Sequence, residues 1–317
     1  MTAPEPPRFS RPEVAAPCGT ADDPRIGQLL GRALGDGDMP RAVIVGFPTD
    51  EGVRRNGGRP GAAEGPAAIR EMLHRLTPGA DDTGEALALL ERTCDLGDLV
   101  VSGDLRHDQE LLGIAVTPYL ADGAFVVVLG GGHETAYGHF LGYPEAGHAV
   151  TIVNWDAHLD VRDLKAGRGH SGSPFRQALE HPSGACRGYV VAGVQPQATA
   201  RGHLEYVRGR GGRVIWASEL TPAAVDAVYG ALRGPAMISF DLDAVDQSQA
   251  PGVSAPASGG LSADLWLRAA HGAGRCPSAM SMDVVELNPK LDRDGQTARL
   301  AALTVWQALR GFSERAR

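Results

Sequence analysis

Phe125-Val-Val-Val-Leu-Gly-Gly-Gly-His-Glu-Thr135 decides how the rest of the chain is read. Its first five residues are apolar, mostly Val, with nothing polar to mark an exposed face. Such a run fits a strand buried on both sides, the habit of parallel sheets. Three glycines follow and let the backbone turn sharply, setting the next side chain, His133, close to a ligand. In open α/β sheets ligands bind beyond the carboxyl ends of the strands. The residues after each such run are therefore where chemistry is to be sought.

Outward from this segment the pattern repeats. Similar runs at Ala42–Gly46, Ala149–Asn154, Tyr189–Val194, Val214–Trp216, Ala236–Phe240 and Met280–Val284 predict further strands. Between them, helical spacing predicts helices over Ala62–Leu76, Asp108–Ala121, Ala198–Arg208, Pro222–Leu232, Ala263–Ala270 and Thr297–Leu309. Strands alternating with helices imply right-handed crossovers. The expected fold is a single three-layer α/β domain, a mostly parallel sheet with helices on both faces. Residues 1–40, rich in Pro, Gly and Asp, read as an N-terminal arm with one short helix near Ile26–Leu34. Residues 41–317 show no linker and no internal repeat, so one large domain is expected there.

Composition agrees with that class. Hydrophobic residues make up 43% of the 317 and charged ones 21%, enough to build a core and too few charges for disorder. With only 5% aromatics, Val, Leu, Ile and Ala must fill it. The 42 glycines and 22 prolines have no collagen period and indicate many loops. A net charge of −8 leaves no footprint for nucleic acid or an anionic membrane. Lys165 and Lys290 are the only lysines; the other basic residues are arginines, as a GC-rich genome would favour. Cys18, Cys94, Cys186 and Cys276 are far apart without a CxxC pair, which fits free thiols in a reducing compartment. No run approaches the roughly 18 apolar residues of a membrane span, and the first residues lack a signal peptide's pattern. A cytoplasmic enzyme is expected.

Two other strand ends repeat the theme of His133. After Ala149–Asn154 comes Trp155-Asp-Ala-His-Leu-Asp160, and after Ala236–Phe240 comes Asp241-Leu-Asp-Ala-Val-Asp246. If the strand continues, alternation puts Asp156, His158 and Asp160 on one side. Asp241 and Asp243 stand at the same i, i+2 spacing. Any one of these motifs alone reads as a solvated strand end or a helix cap. Together they collect carboxylates that repel one another at one sheet edge, and cations must hold them there. Oxygen-rich ligation with two imidazoles and no thiolate favours Mn²⁺ or Mg²⁺ over structural zinc. Six ligands, some bridging, suit two ions roughly 3.5–4 Å apart, able to form a bridging hydroxide at neutral pH.

In order, GGGHET (Gly130–Thr135), NWDAHLD (Asn154–Asp160) and SFDLDAVD (Ser239–Asp246) resemble the signature of the ureohydrolases, the family of arginase and agmatinase. The likeness runs from Val43 to Leu309. Within that family the chain most resembles the formimidoylglutamase branch. The stretches that carry this are Asp50–Asn56 with Gly61–Pro66, the three glycines before His133, Ala250–Pro256 and Asp292–Arg299. An arginase or agmatinase is expected to carry GG[DN]H at the first ligand and a GTGTPE-like segment near Gly252, and both are missing here.

The resemblance implies an arginase-like fold and two Mn²⁺ per chain. One ion is assigned to His133, Asp156, Asp160 and Asp241, the other to Asp156, His158, Asp241 and Asp243. It further implies a small-molecule substrate, a homo-oligomer, and cleavage of N-formimidoyl-L-glutamate to formamide and glutamate by metal-hydroxide attack on the amidine carbon. Asp160 is expected to carry the proton to the departing amine, and Glu286 to hold the amidinium. Arg162, Arg176 and Asn56 are expected to contact the substrate, the arginines through carboxylate. Ser171 stands where arginase and agmatinase place a proton-shuttling His, and His170 beside it is the candidate substitute. Two other readings stay open: an amidinohydrolase of guanidino compounds that releases urea, and a non-catalytic, metal-stabilised binding protein on the same fold.

Overall fold

Each of the seven apolar runs is a strand in the structure, a computed structural model that describes residues 6–11, 14 and 19–315. In chain order the strands are β1 (Phe9–Ser10), β2 (Ala42–Phe47), β3 (Thr93–Leu99), β4 (Phe125–Gly130), β5 (Val150–Trp155), β6 (Cys186–Val194), β7 (Arg213–Trp216), β8 (Ala236–Asp241) and β9 (Ala279–Val285). Among the described residues they form one sheet in the order β1-β3-β2-β4-β9-β8-β5-β6-β7. Every neighbouring pair is parallel except β1 with β3.

The helices are α1 (Ile26–Leu29), α2 (Glu51–Asn56), α3 (Gly65–His74), α4 (Glu85–Glu91), α5 (Leu105–Asp122), α6 (Thr135–Glu145), α7 (Pro174–Leu179), α8 (Arg201–Gly209), α9 (Pro222–Gly230), α10 (Ala263–Arg275) and α11 (Gln296–Ser313). Alternation along each strand feeds two separate cores, so both sides of the sheet are covered. Phe125, Val127 and Leu129 of β4 pack with Ile69 of α3, Trp266 of α10 and Val305 of α11. Val126 and Val128 face the other way, with Leu112 of α5, Phe140 of α6 and Phe175 of α7. This is the expected three-layer fold.

Residues before position 41 join it: β1 pairs with β3, and Ile26 and Leu29 are buried in the first core. The helix expected over Ile26–Leu34 ends at Leu29 and gives way to turns. Cys18 lies outside the described residues; Cys94, Cys186 and Cys276 are free thiols.

Two strands had no apolar signature. β1 is only two residues long, and β3 carries Asp95 and Asp98. Those carboxylates are tolerated because Arg70 of α3, 1% exposed, meets both and also donates to the Gly97 carbonyl. The helix α6 was missed for another reason. It is buried nearly all round, so no polar face marks its period.

The topology positions the site. β4 and β5 are consecutive in sequence, yet β9 and β8 lie between them in the sheet. The chain changes direction there, making the switch point at which open α/β sheets bind ligands. The carboxyl ends of β4, β9, β8 and β5 stand side by side.

Candidate metal centre

His133 follows β4, Asp156 to Asp160 follow β5, Asp241 closes β8, and Glu286 follows β9. The local mechanism differs from strand alternation, because β5 ends at Trp155 and the ligands after it are on a loop. Asp156 turns the chain by accepting the His158 N–H on Oδ1 at 2.6 Å. Asp241 does the same for Asp243 at 3.0 Å, where a single 3₁₀ turn begins. In both, a short carboxylate satisfies a backbone donor two residues on, leaving its other oxygen for the cluster. The glycine run also works otherwise than expected. None of Gly130–Gly132 has a positive φ. Gly131 is required because a Cβ there would run into the Thr49 carbonyl.

Three carboxylates converge on His133 Nδ1. Asp241 Oδ2 lies 2.8 Å from it, Asp160 Oδ2 2.9 Å and Asp156 Oδ2 3.5 Å. Asp156 Oδ1 and Asp243 Oδ2 lie 3.3 and 3.2 Å from His158 Nδ1. These are two groups of donor atoms, His133-Asp156-Asp160-Asp241 and Asp156-His158-Asp243, each within 4.8 Å of one another and sharing Asp156. Within the first, His133 Nδ1 is buried and has no hydrogen bond of acceptable geometry, despite the short distances. Asp243 Oδ1 is likewise buried without a partner. Buried polar atoms are rarely left so, and a cation at each group satisfies them.

The electrostatics agree. Burial, then the charge of Asp243, pushes the Asp241 carboxyl well above the usual carboxylate range. Burial holds Asp243 up at about 7 against the pull of His158. Burial opposes charge on the His133 ring, but Asp241 and Asp160 outweigh it and drive its pKa upward. The cluster draws in positive charge. An oxygen-rich set with two imidazoles fits hard divalent ions.

Backbone strain falls in the same place. Asp160 and Glu286 have φ of +45° and +69°, two of four described non-glycine residues in the left-handed region. Such conformations cost energy and persist where the surroundings over-determine them, as at functional sites. Glu286 is fixed by its N–H on the Gly131 carbonyl and by Oε1 accepting the His133 N–H at 2.8 Å. Above the cluster is a cavity of about 360 Å³ lined by His158, Asp160, Asp241, Asp243, Glu286, Asn56, Arg59, Arg162, Ser171 and Ser254. A larger groove of about 780 Å³ between α5, α6 and residues 164–169 holds none of the clustered ligands.

A profile of the arginase family matches residues 40–311. The chain belongs to the arginase family. A formimidoylglutamase of Geobacillus thermodenitrificans is 37% identical over 281 residues, 86% of this chain and 84% of that one. One of Rhodococcus opacus is 39% identical over 293 residues, 85% of each. The crystal structure of Trypanosoma cruzi formiminoglutamase with two Mn²⁺ superimposes with a TM-score of 0.85 at 36% identity, covering 93% of this chain and all of that one. The family resemblance drawn from the motifs, and the fold that it implied, are borne out.

Two of the expected site residues of this arginase-family chain lie elsewhere. His170 is fully buried: its Nε2 lies 3.0 Å from the Asp163 carbonyl, and its Nδ1 accepts the Gly172 N–H at 3.1 Å. Both nitrogens are spent on backbone, and burial lowers the ring's pKa. His170 shapes the loop and has no free nitrogen to shuttle a proton; Ser171 is the residue that lines the cavity. Arg176 gives its guanidinium to the Val161 carbonyl and Asp163 and lies over the Tyr206 ring, bracing the loop that carries Asp160. It does not line the cavity. Asn56 does, and donates to Ser171 Oγ at 3.2 Å. Arg59 and Ser254 were not anticipated. They come from loops with no apolar run to mark them, and Arg59 is tied to the carbonyls of Val253 and Ser254. Arg162 is tied only loosely, by a 3.4 Å contact from Nη1 to Asn56 Oδ1.

Proposed function

We propose that the protein is a binuclear manganese hydrolase that cleaves N-formimidoyl-L-glutamate to formamide and L-glutamate. The observation that carries the reading is the pairing of two cation-seeking Asp/His groups with a loosely held arginine on one small cavity. Its relatives named formimidoylglutamase support the substrate. Two Mn²⁺ bound there lower the pKa of water, so that a nucleophile exists at neutral pH. His133, Asp156, Asp160 and Asp241 would hold one ion; Asp156, His158 and Asp243 would hold the other, with Asp241 joining them as the family resemblance implies.

The remaining residues bind and orient. Glu286 has one oxygen on the His133 N–H, and its second makes no hydrogen bond among the described residues. That oxygen would take the amidinium NH₂ and hold the planar carbon in place. Arg162 takes a substrate carboxylate in two parallel hydrogen bonds, with Asn56 beside it. A water oxygen bonds to the amidine carbon, and the bond from that carbon to the glutamate nitrogen breaks. Asp160 accepts the proton released by the nucleophile and delivers it to that nitrogen. Formamide and glutamate leave. The chain is read as a cytoplasmic homo-oligomer, consistent with its free thiols, with one catalytic domain over residues 41–317.

The test is a panel of formimidoylglutamate, agmatine, guanidinobutyrate and arginine with added Mn²⁺, scored separately for formamide and urea. Formamide from the first alone is expected. Urea from a guanidino compound, with no formamide, overturns the substrate assignment and leaves the metal centre standing.

A further inference from the structure

Behind the metal centre a line of polar side chains runs through the sheet, fully buried and used by no step above. His133 Nε2 lies 3.0 Å from Ser239 Oγ, and Ser239 donates to Asp283 Oδ1 at 2.6 Å. The other oxygen of Asp283 lies 2.8 Å from His139 Nδ1. His139 Nε2 lies 2.6 Å from Ser281 Oγ, which lies 2.6 Å from the Tyr143 hydroxyl. Ser239, Asp283, His139 and Ser281 are each 0% exposed.

The sheet register builds this line. Ser239 of β8 and Asp283 of β9 are cross-strand partners, and Ser281 stands two residues before Asp283 on the same face. Asp241 stands two residues beyond Ser239, so the relay and the ligand share one side of β8. His139 and Tyr143, one helical turn apart on α6, close it from above. A carboxylate buried in an apolar strand is costly unless its oxygens are bonded, and here both are.

We propose that Ser239 and Asp283 are positioning residues for His133, fixing which ring nitrogen faces the ion. The inference rests on the binuclear reading given above. A carboxylate only accepts, so the Ser239 hydroxyl hydrogen is committed to Asp283. Ser239 Oγ therefore accepts from His133, which places a hydrogen on Nε2 and leaves the Nδ1 lone pair to the Asp156-Asp160-Asp241 group. Partners of this kind orient metal-bound histidines and raise their basicity, and their loss costs roughly 10- to 100-fold in metal affinity. His158, the ligand of the other ion, has no place in the relay. The effect is confined to one of the two sites.

Metal-free full-length wild type, Ser239→Ala, Asp283→Asn and His133→Ala are titrated with Mn²⁺ by calorimetry and by electron paramagnetic resonance. Wild type takes two ions and shows the signal of a coupled pair. Ser239→Ala and Asp283→Asn are expected to lose roughly 10- to 100-fold in affinity for one ion only. The ion they retain should match the one left in His133→Ala, and mononuclear signal should appear where wild type shows the pair. Ser239→Ala removes a single oxygen, so it decides the matter should Asp283→Asn fail to fold. Wild type binding two ions with Ser239→Ala matching it overturns the inference alone. Equal weakening of both ions, with a fall in melting temperature, overturns it in favour of a merely structural role. Wild type that binds no pair overturns the binuclear reading and this inference together.

Discussion

Asp241 and Asp246 sit five positions apart in one motif, yet their surroundings give them different work. Asp241 is buried, 2.8 Å from His133 Nδ1, and its carboxyl is held up by burial and by Asp243. Asp246 accepts from Ser248 and from the Gly259 N–H and stabilises a loop. Asp241→Asn should lower turnover at least 100-fold and cost an ion, because a neutral amide replaces a buried carboxylate of the His133 group; Asp246→Asn should fall less than about 10-fold. Equal losses in paired assays would show that the wrong pair was chosen. Arg162 is the second test at this scale. Its guanidinium is uncommitted beyond Asn56, so the cost of removing it falls on the substrate. Arg162→Ala and Arg162→Lys should keep two ions and lose about 2–3 kcal/mol of transition-state binding, roughly 30- to 150-fold in kcat/KM. Wild-type turnover of formimidoylglutamate by Arg162→Ala would sink the carboxylate role.

The strand β3 shows how an element survives against its own composition. Asp95 is partly buried, which favours the neutral acid, but His74, Arg70 and the Gly97 N–H outweigh this and hold it down at about 2. Asp98 meets the same Arg70 with fewer partners, so burial wins and its pKa rises. For Asp95 the folded value lies below the unfolded 3.8. Its contribution of about 2 kcal/mol is therefore complete above pH 4 and lost as pH falls through about 2. Asp95→Asn should be less stable than wild type at pH 6, and the gap should close toward pH 2. Chemical denaturation at both pH values checks this; a gap that stays constant means that Asp95 matters by shape and not by charge. At the same scale, the loop after β5 explains why His170 misled. An imidazole beside a catalytic loop looks like a proton carrier in sequence, and only its two backbone partners reveal a brace.

At the scale of the whole molecule, four strand ends are held together against the repulsion of the acids that they carry. Binding of ions to the folded state alone stabilises it by mass action, about 2.7 kcal/mol per ion at a hundredfold excess over Kd. Chelation should thus lower the melting temperature and Mn²⁺ should restore it. Asp156→Ala, which removes the carboxylate common to both groups, should abolish that response. A melting temperature indifferent to chelation would mean that no tight pair exists. The sequence by itself determined the parallel α/β architecture, since a strand buried on both faces must be apolar along its length, as Phe125–Leu129 is. It also pointed to the six Asp and His residues that the fold gathers into two groups able to hold a metal ion, because so many Asp and His at strand ends have few other uses. It did not reveal β3, whose charges are neutralised by an arginine 25 residues earlier, or the line through Ser239, Asp283 and His139. Nor did it separate Arg162, which lines the cavity, from Arg176, which braces a loop. A periodic pattern is local and written in neighbouring residues. Which buried polar atom meets which is set by sheet register and helix packing between residues 25 to 144 positions apart, and only the folded chain brings those partners together.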